Sequence, residues 1–302
     1  MSGFQFESAR TLPGSDALGR SVLAALRLAT QRLWTFEVEG INNVPSSGPA
    51  IIAPNHLSFC DSIFVPAALP RRTWALGKAE YMDSWKTKHI FPAMGMIPVD
   101  RSGGKAALRA LDGAADVLDA GHLFMIYPEG TRSRSEFLHR GRTGAARLAA
   151  RCNAPVIPTG HTGTTAVQPP GCSIPKVRLP VTVRFGTPMH PDDFGYPDDP
   201  RSLRSFTDAL MYEIAELSGQ RYVHQYASGA DKPGELAEKP KAKIAMPPGR
   251  RAPTTSDGER TPEVDVRDQV STGLSIHGLN RLQTSADREQ TETDELTPTV
   301  RE

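Results

Sequence analysis

Four short blocks hold the residues able to do chemistry. The first is Asn55-His56-Leu57-Ser58-Phe59-Cys60-Asp61. It leaves an apolar run and opens a helical one. A carboxylate five residues after a histidine can fold back in the first helical turn and accept a hydrogen bond from one ring nitrogen. That fixes the tautomer and leaves the other nitrogen free as a base. The pair is two thirds of a triad without a protein nucleophile. Ser58 lies between the two but in no Gly-x-Ser-x-Gly elbow. The simplest inference is a nucleophile supplied by a substrate, such as a hydroxyl. The alternative is a structural His–Asp pair capping a helix.

The second block is Tyr127-Pro128-Glu129-Gly130-Thr131-Arg132-Ser133, again following an apolar run. Pro128 and Gly130 force a turn, and a glycine lets the backbone approach a ligand closely. Arg132 offers a planar fork suited to phosphate. A buried Glu129 could order the loop through backbone amides. A plain surface turn would explain the proline and glycine but not the Glu/Thr/Arg set. The third block, Gly95-Met96-Ile97-Pro98-Val99-Asp100-Arg101, is an apolar strand ending in a second arginine. The fourth, Ala154-Pro155-Val156-Ile157-Pro158-Thr159-Gly160, is an apolar run between prolines. Prolines in such a run mark an edge strand or a wall, so its expected role is structural. One mouth holding a His–Asp base and two arginines suits a phosphate-bearing substrate whose hydroxyl is deprotonated.

The elements that must position these blocks alternate. Phe36–Gly40, Ala50–Pro54, Thr73–Leu76, Gly95–Val99, His122–Tyr127, Pro155–Pro158 and Val181–Phe185 read as strands. Asp61–Leu69, Lys105–Ala120, Gly144–Arg151 and Ser202–Leu217 read as helices, with Gly121 at a capping position. The expected fold is α/β, a single domain with a largely parallel or mixed sheet flanked by helices. Loops at the carboxyl ends of such strands usually carry the site. Before it, Met1–Asp16 reads as a loose leader. From Leu18, apolar residues recur at helical spacing through Val22, Leu26, Ala29 and Leu33, flanked by Arg20, Arg27, Arg32 and Trp34. This amphipathic helix suits either a membrane interface or the core surface. The boundaries are leader and helix 1–35, catalytic domain 36–227 and tail 228–302.

Composition marks the last border. The 11 Phe, 3 Trp and 6 Tyr of this 302-residue chain all lie at or before Tyr226. Of 35 basic and 34 acidic residues, 11 and 14 fall in Ser228–Glu302, a net of −3, which leaves Met1–Ala227 at +4. A segment so poor in apolar residues cannot offset its ordering entropy, and disorder is expected there. The mildly basic body excludes a strongly basic nucleic-acid binder but permits an anionic substrate or membrane surface. Cys60, Cys152 and Cys172 form no CxxC and read as free thiols, not a disulfide framework or zinc site. No run reaches the ~18 apolar residues of a spanning helix, and no signal peptide is recognisable. A location in the cytoplasm or on the cytoplasmic side of the membrane is expected.

The four blocks, in this order and approximate spacing, resemble those of the glycerolipid acyltransferases, most closely the bacterial 1-acylglycerol-3-phosphate acyltransferases. The likeness covers roughly Phe36 to Phe206; Tyr127 stands where many members have Phe. It implies acyl transfer from acyl-CoA or acyl-carrier protein to the free hydroxyl of a lysophosphatidate, with no covalent acyl-enzyme and no metal or redox cofactor. His56 would be the base, oriented by Asp61. Arg132 would hold the phosphate, assisted by Arg101 and Lys78. Glu129, Gly130 and Thr131 would shape the acceptor pocket and oxyanion site. A bilayer-borne acceptor also favours interfacial attachment of the N-terminal helix. Rival readings are another acceptor such as glycerol 3-phosphate, a hydrolase using Ser58 or Ser62, and a non-catalytic lipid-binding module.

Overall fold

The structure, a computed structural model, describes residues 17–78, 90–99, 106–172, 174–195 and 199–227, all within the compact unit Met1–Arg250. The leader, Arg101 and the tail lie outside the described residues. In chain order the elements are α1 (Ala17–Leu33), β1 (Thr35–Glu39), β2 (Ala50–Pro54), α2 (Asp61–Ala68), β3 (Thr73–Lys78), α3 (Ile90–Ala93), β4 (Met96–Val99), α4 (Ala106–Asp119) and β5 (Leu123–Met125). There follow β6 (Leu138–His139), α5 (Gly144–Cys152), β7 (Val156–Thr162), α6 (Thr164–Val167), β8 (Pro180–Phe185), α7 (Pro200–Ser218) and β9 (Tyr222–Val223).

Among the described residues, seven strands form one sheet in the order β1-β8-β7-β2-β5-β3-β4. Every pairing in it is parallel except β7 with β8. A parallel strand covered on both faces needs apolar residues at every position. β2 obeys this: Ala-Ile-Ile-Ala-Pro is buried throughout. Ile51 and Ala53 pack into the layer formed by α4, α5 and α7. Ala50 and Ile52 point to the opposite layer, beside Phe64 and Val65 of α2. The last helix is delimited by local chemistry. Asp199 caps it by accepting from the Ser202 amide at 3.0 Å, Pro200 occupies the first turn, and Gly219 ends it at φ 69°.

One expectation needs correction. The proline-bracketed run is not an edge: β7 lies between β2 and β8 and runs on to Thr162. Pro158 is accommodated because β8 ends at Phe185, and there the Pro158 carbonyl accepts from Gly186 at 2.8 Å. The N-terminal helix packs on α2 and α3. The Arg27 guanidinium donates to the Leu69 carbonyl and Trp34 meets Phe64 edge-on, centroids 5.2 Å apart. Val22, Leu26 and Ala29 are half-buried, whereas Leu28 and Leu33 remain exposed. No helix of the described residues is long and apolar enough to cross a membrane.

Candidate active site

Three neighbouring strands deliver the site. β2 pairs in parallel with β5 on one side, Ile52 opposite Met125, and with β7 on the other, Pro54 opposite Thr159. Their carboxyl ends therefore open together. The His56 loop leaves β2, the Glu129 loop leaves β5, and His161 lies near the end of strand β7.

His56 and Asp61 meet as their spacing predicts, with Nδ1 and Oδ2 2.9 Å apart. The same oxygen accepts from the amides of Leu57 at 2.7 Å and Ser58 at 2.8 Å. Asp61 is fully buried and His56 retains 15% exposure. Among the described residues, His56 Nε2 has no protein hydrogen-bond partner. Tyr127 stacks on the imidazole, centroids 3.7 Å apart and planes at 13°, and its hydroxyl lies 3.2 Å from Ser62 Oγ. The ring is thus held by Asp61 at one edge and Tyr127 on one face.

Burial works against ionisation of Asp61. The neighbouring His161 and the hydrogen bond and charge of His56 outweigh it and hold the carboxyl below its ordinary range. Burial lowers the pKa of His56 as well. Its bond to Asp61 pulls it back up, while His161 and Arg132 add to the lowering. The net direction is downward, so the ring is neutral and able to accept a proton at neutral pH.

Glu129 is fully buried and serves the loops directly. One carboxylate oxygen accepts from the His56 amide and the other from the His139 amide, each at 3.0 Å. Burial pushes its pKa up to about 8, although both amides pull it down. Gly130 adopts φ 76°, and a Cβ there would lie 3.0 Å from the Arg142 side chain. Its N–H donates to the Tyr127 carbonyl at 3.0 Å and closes the turn. That donor is already engaged, which argues against its use as an oxyanion ligand.

Arg132 is exposed and Thr131 half-exposed. Arg132 and Arg134 line a cavity of about 340 Å³ with Leu57, Ser58, Phe59 and the stretch Gln168–Cys172. His56 is not in its wall, which begins at the next residue. Lys78 ends β3 with its backbone opposite Val99; its side chain lies outside what is described, as does Arg101. Ser58 Oγ donates to the Gln168 carbonyl at 3.2 Å, and Ser62 faces Tyr127. Both bonds draw these hydroxyls away from the role of nucleophile.

Sequence reasoning missed His161 and Arg134. His161 is fully buried, with Nε2 2.8 Å from the Asn55 carbonyl and 3.6 Å from Asp61 Oδ2. The Asn55 side chain accepts from the His161 amide at 2.9 Å. The available signal was a histidine one residue past the fourth block, hidden by reading that strand as ended. Arg134 stands two residues after Arg132.

Residues 35–162 match the family model described as Acyltransferase. The chain is similar to the 1-acyl-sn-glycerol-3-phosphate acyltransferase of Limnanthes douglasii, with 32% identity over 147 residues, 48% of this chain and 52% of the relative. It is also similar to the Bacillus subtilis enzyme of that name, with 25% identity over 199 residues, 65% of this chain and 94% of the relative. The chain thus spans about half the length, or less, of the first curated relatives it matches. Among solved structures, the 1-acyl-sn-glycerophosphate (LPA) acyltransferase PlsC of Thermotoga maritima shares the fold. Its TM-score is 0.54 at 22% identity, covering 66% of this chain and 80% of that one.

Proposed function

We propose that this chain transfers an acyl group from an acyl thioester, acyl-CoA or acyl-carrier protein, to the free hydroxyl of 1-acyl-sn-glycerol 3-phosphate, giving phosphatidate. The observation that carries the reading is the His56–Asp61 pair. It holds a neutral imidazole by Nδ1 and leaves Nε2 open, with Arg132 close enough to depress the ring's basicity. The names of the relatives support the choice of acceptor.

In this mechanism His56 Nε2 takes the hydroxyl proton as the oxygen attacks the thioester carbonyl. The tetrahedral intermediate then expels the thiolate, which takes the proton from the imidazolium, leaving an ester and a free thiol. Asp61 orients the ring and stabilises its cation. General-base help of this kind typically contributes about 10²–10⁴-fold, and positioning of two bound substrates a comparable or larger share. Arg132 holds the phosphate, with Arg101 and Lys78 assisting. Thr131 offers a donor to the developing oxyanion, since Gly130 is committed to the turn. Glu129 shapes the pocket from beneath by fixing the His56 backbone. The protein groups and two substrates suffice, without a metal or redox cofactor. The enzyme works from the cytoplasmic side at a membrane surface, as a peripheral protein.

The test is a matrix of acyl-CoA and acyl-carrier-protein donors against lysophosphatidate, glycerol 3-phosphate and phosphate-free lysolipids, with wild type and His56→Ala. Thiol release with lysophosphatidate, reduced at least ~10²-fold in the variant, is expected. Near-wild-type turnover by His56→Ala would overturn the mechanism. Turnover only with another acceptor would overturn the substrate.

A further inference from the structure

The described surface exposes large apolar side chains at the end of α1 and after Cys172 that the proposed chemistry does not use. Ile174 is 82% exposed, Val177 49% and Leu33 44%. They come from two distant stretches, the end of α1 and the segment after Cys172, which the backbone stitches together. The Arg178 amide donates to the Leu33 carbonyl at 2.7 Å, and the Thr35 amide to the Leu179 carbonyl at 3.2 Å. The Trp34 indole donates to the Lys176 carbonyl at 2.7 Å. This contiguity is a property of the fold.

Charge distinguishes this region from an ordinary greasy patch. Arg32, Lys176 and Arg178 are exposed in the same two stretches. Neither 17–34 nor 164–180 contains a single Asp or Glu. In the sequence just after α1 the first carboxylates are Glu37 and Glu39 on β1, and Glu39 is paired with Arg184 at 3.0 Å. Exposed apolar side chains beside cations that have no ion-pair partner among the described residues complement a surface that is apolar beneath and anionic at its face. The second segment has a further property. The stretch immediately before it, Gln168–Cys172, forms one wall of the cavity that holds Arg132 and Arg134.

We propose that Leu33 at the end of α1, together with Ile174, Val177, Lys176 and Arg178, forms one docking surface for an anionic lipid bilayer, and that the segment after Gln168 brings the bilayer to the mouth of the arginine-lined cavity. The proposal rests on the lipid-acceptor reading for its purpose, but the surface is defined without it. Trp34 sits beneath, packed on Phe64, and fixes the angle between helix and segment.

The full chain is mixed with vesicles of phosphatidylcholine, alone or with phosphatidylglycerol, and sedimented. Wild type partitions onto the anionic vesicles. Ile174→Asp/Val177→Asp lowers that partition roughly tenfold or more, and Lys176→Glu/Arg178→Glu removes the preference for phosphatidylglycerol. Both variants turn over a monomeric short-chain lysophosphatidate like wild type but lose activity on the vesicle-borne one. Vesicle binding equal to wild type in the first variant overturns the proposal. So does a wild type that ignores vesicles but binds an acidic carrier protein through the same residues. Should wild type turn over no acceptor while its vesicle binding depends on Ile174 and Val177, the docking surface stands and the acyltransferase reading fails.

Discussion

Replacing Asp61 by Asn separates the charge of this residue from its shape. Oδ2 accepts from three donors: His56 Nδ1 at 2.9 Å and the amides of Leu57 and Ser58 at 2.7 and 2.8 Å. An asparagine must place its carbonyl oxygen there, because an NH₂ would face two N–H groups. The loop is therefore held while the charge is lost. Two unit charges 2.9 Å apart interact by about 6 kcal/mol at an effective dielectric near 20. The neutral hydrogen bond that remains retains about 1 kcal/mol of this. Opposite charges at such distances shift a pKa by about 1–3 units, the lower bracket of the same effect. The imidazolium formed during proton abstraction thus loses about 2–5 kcal/mol of stabilisation, a rate reduction of roughly 30-fold to several-thousand-fold. The assay is thiol release with lysophosphatidate across pH. In wild type the rate rises with pH as His56 deprotonates, with a midpoint below the ordinary histidine value of 6.5 because burial lowers it. In Asp61→Asn the plateau falls and the midpoint moves lower still. NMR titration of the His56 ring reads the same shift without substrate. A folded variant within fivefold of wild type, its His56 titration unmoved, would refute the pairing as the source of basicity.

Three further outcomes follow from the geometry. Arg132→Ala removes a charge-assisted contact worth about 1.5–3 kcal/mol and raises KM for phosphate-bearing acceptors roughly 10- to 150-fold; phosphate-free lysolipids, measured in parallel, are unaffected. Glu129→Gln turns one amide N–H against an NH₂ group and costs about 1–3 kcal/mol near neutral pH. Because the folded pKa of Glu129 is raised to about 8 above the ordinary value near 4.5, its contribution to stability is full at acid pH and is lost as pH rises through that window. The difference in Tm between wild type and Glu129→Gln should therefore shrink from pH 5 to pH 9. His161→Leu strands the Asn55 carbonyl in a fully buried site and lowers stability by about 1–3 kcal/mol, with His161→Gln recovering part of it in a denaturant titration.

The parts of this site that the sequence reveals are those encoded locally. His56 and Asp61 are five residues apart, and a first helical turn brings them together whatever else the chain does. The turn at Gly130 likewise needs only its own residues, because φ 76° selects glycine. What escapes is set by strand order. Prolines in the fourth block suggest an edge, since a proline interrupts a ladder. Yet Pro158 falls where β8 stops, so β7 occupies the interior beside β2. Only that placement brings His161 to Asp61, and nothing within the block announces the neighbour. The same limit applies to the amphipathic helix. Its stripe predicts an apolar partner, but not that α1 packs on α2 and α3 while the Leu33 carbonyl accepts from the Arg178 amide.

The arrangement also explains why a buried carboxylate stands behind an open histidine. His56 lies on a loop, and its side chain is fixed by Asp61 and Tyr127. Its backbone is held by two others: the Ser133 amide donates to the His56 carbonyl at 2.8 Å, and Glu129 accepts from the His56 amide through one oxygen and the His139 amide through the other. His139 belongs to β6, paired with β9 in a second small sheet that closes after α7. The base is therefore braced from the loop after β5, through the Glu129 carboxyl group, to the strand β6 that pairs with the final strand. A loop held this way keeps its ring in place without a ligand, as a base that must meet two separate substrates requires. The near-continuous apolar character of β2 follows from the same demand. A central strand buried on both faces holds apolar side chains at every position, and His56 lies two residues beyond its end.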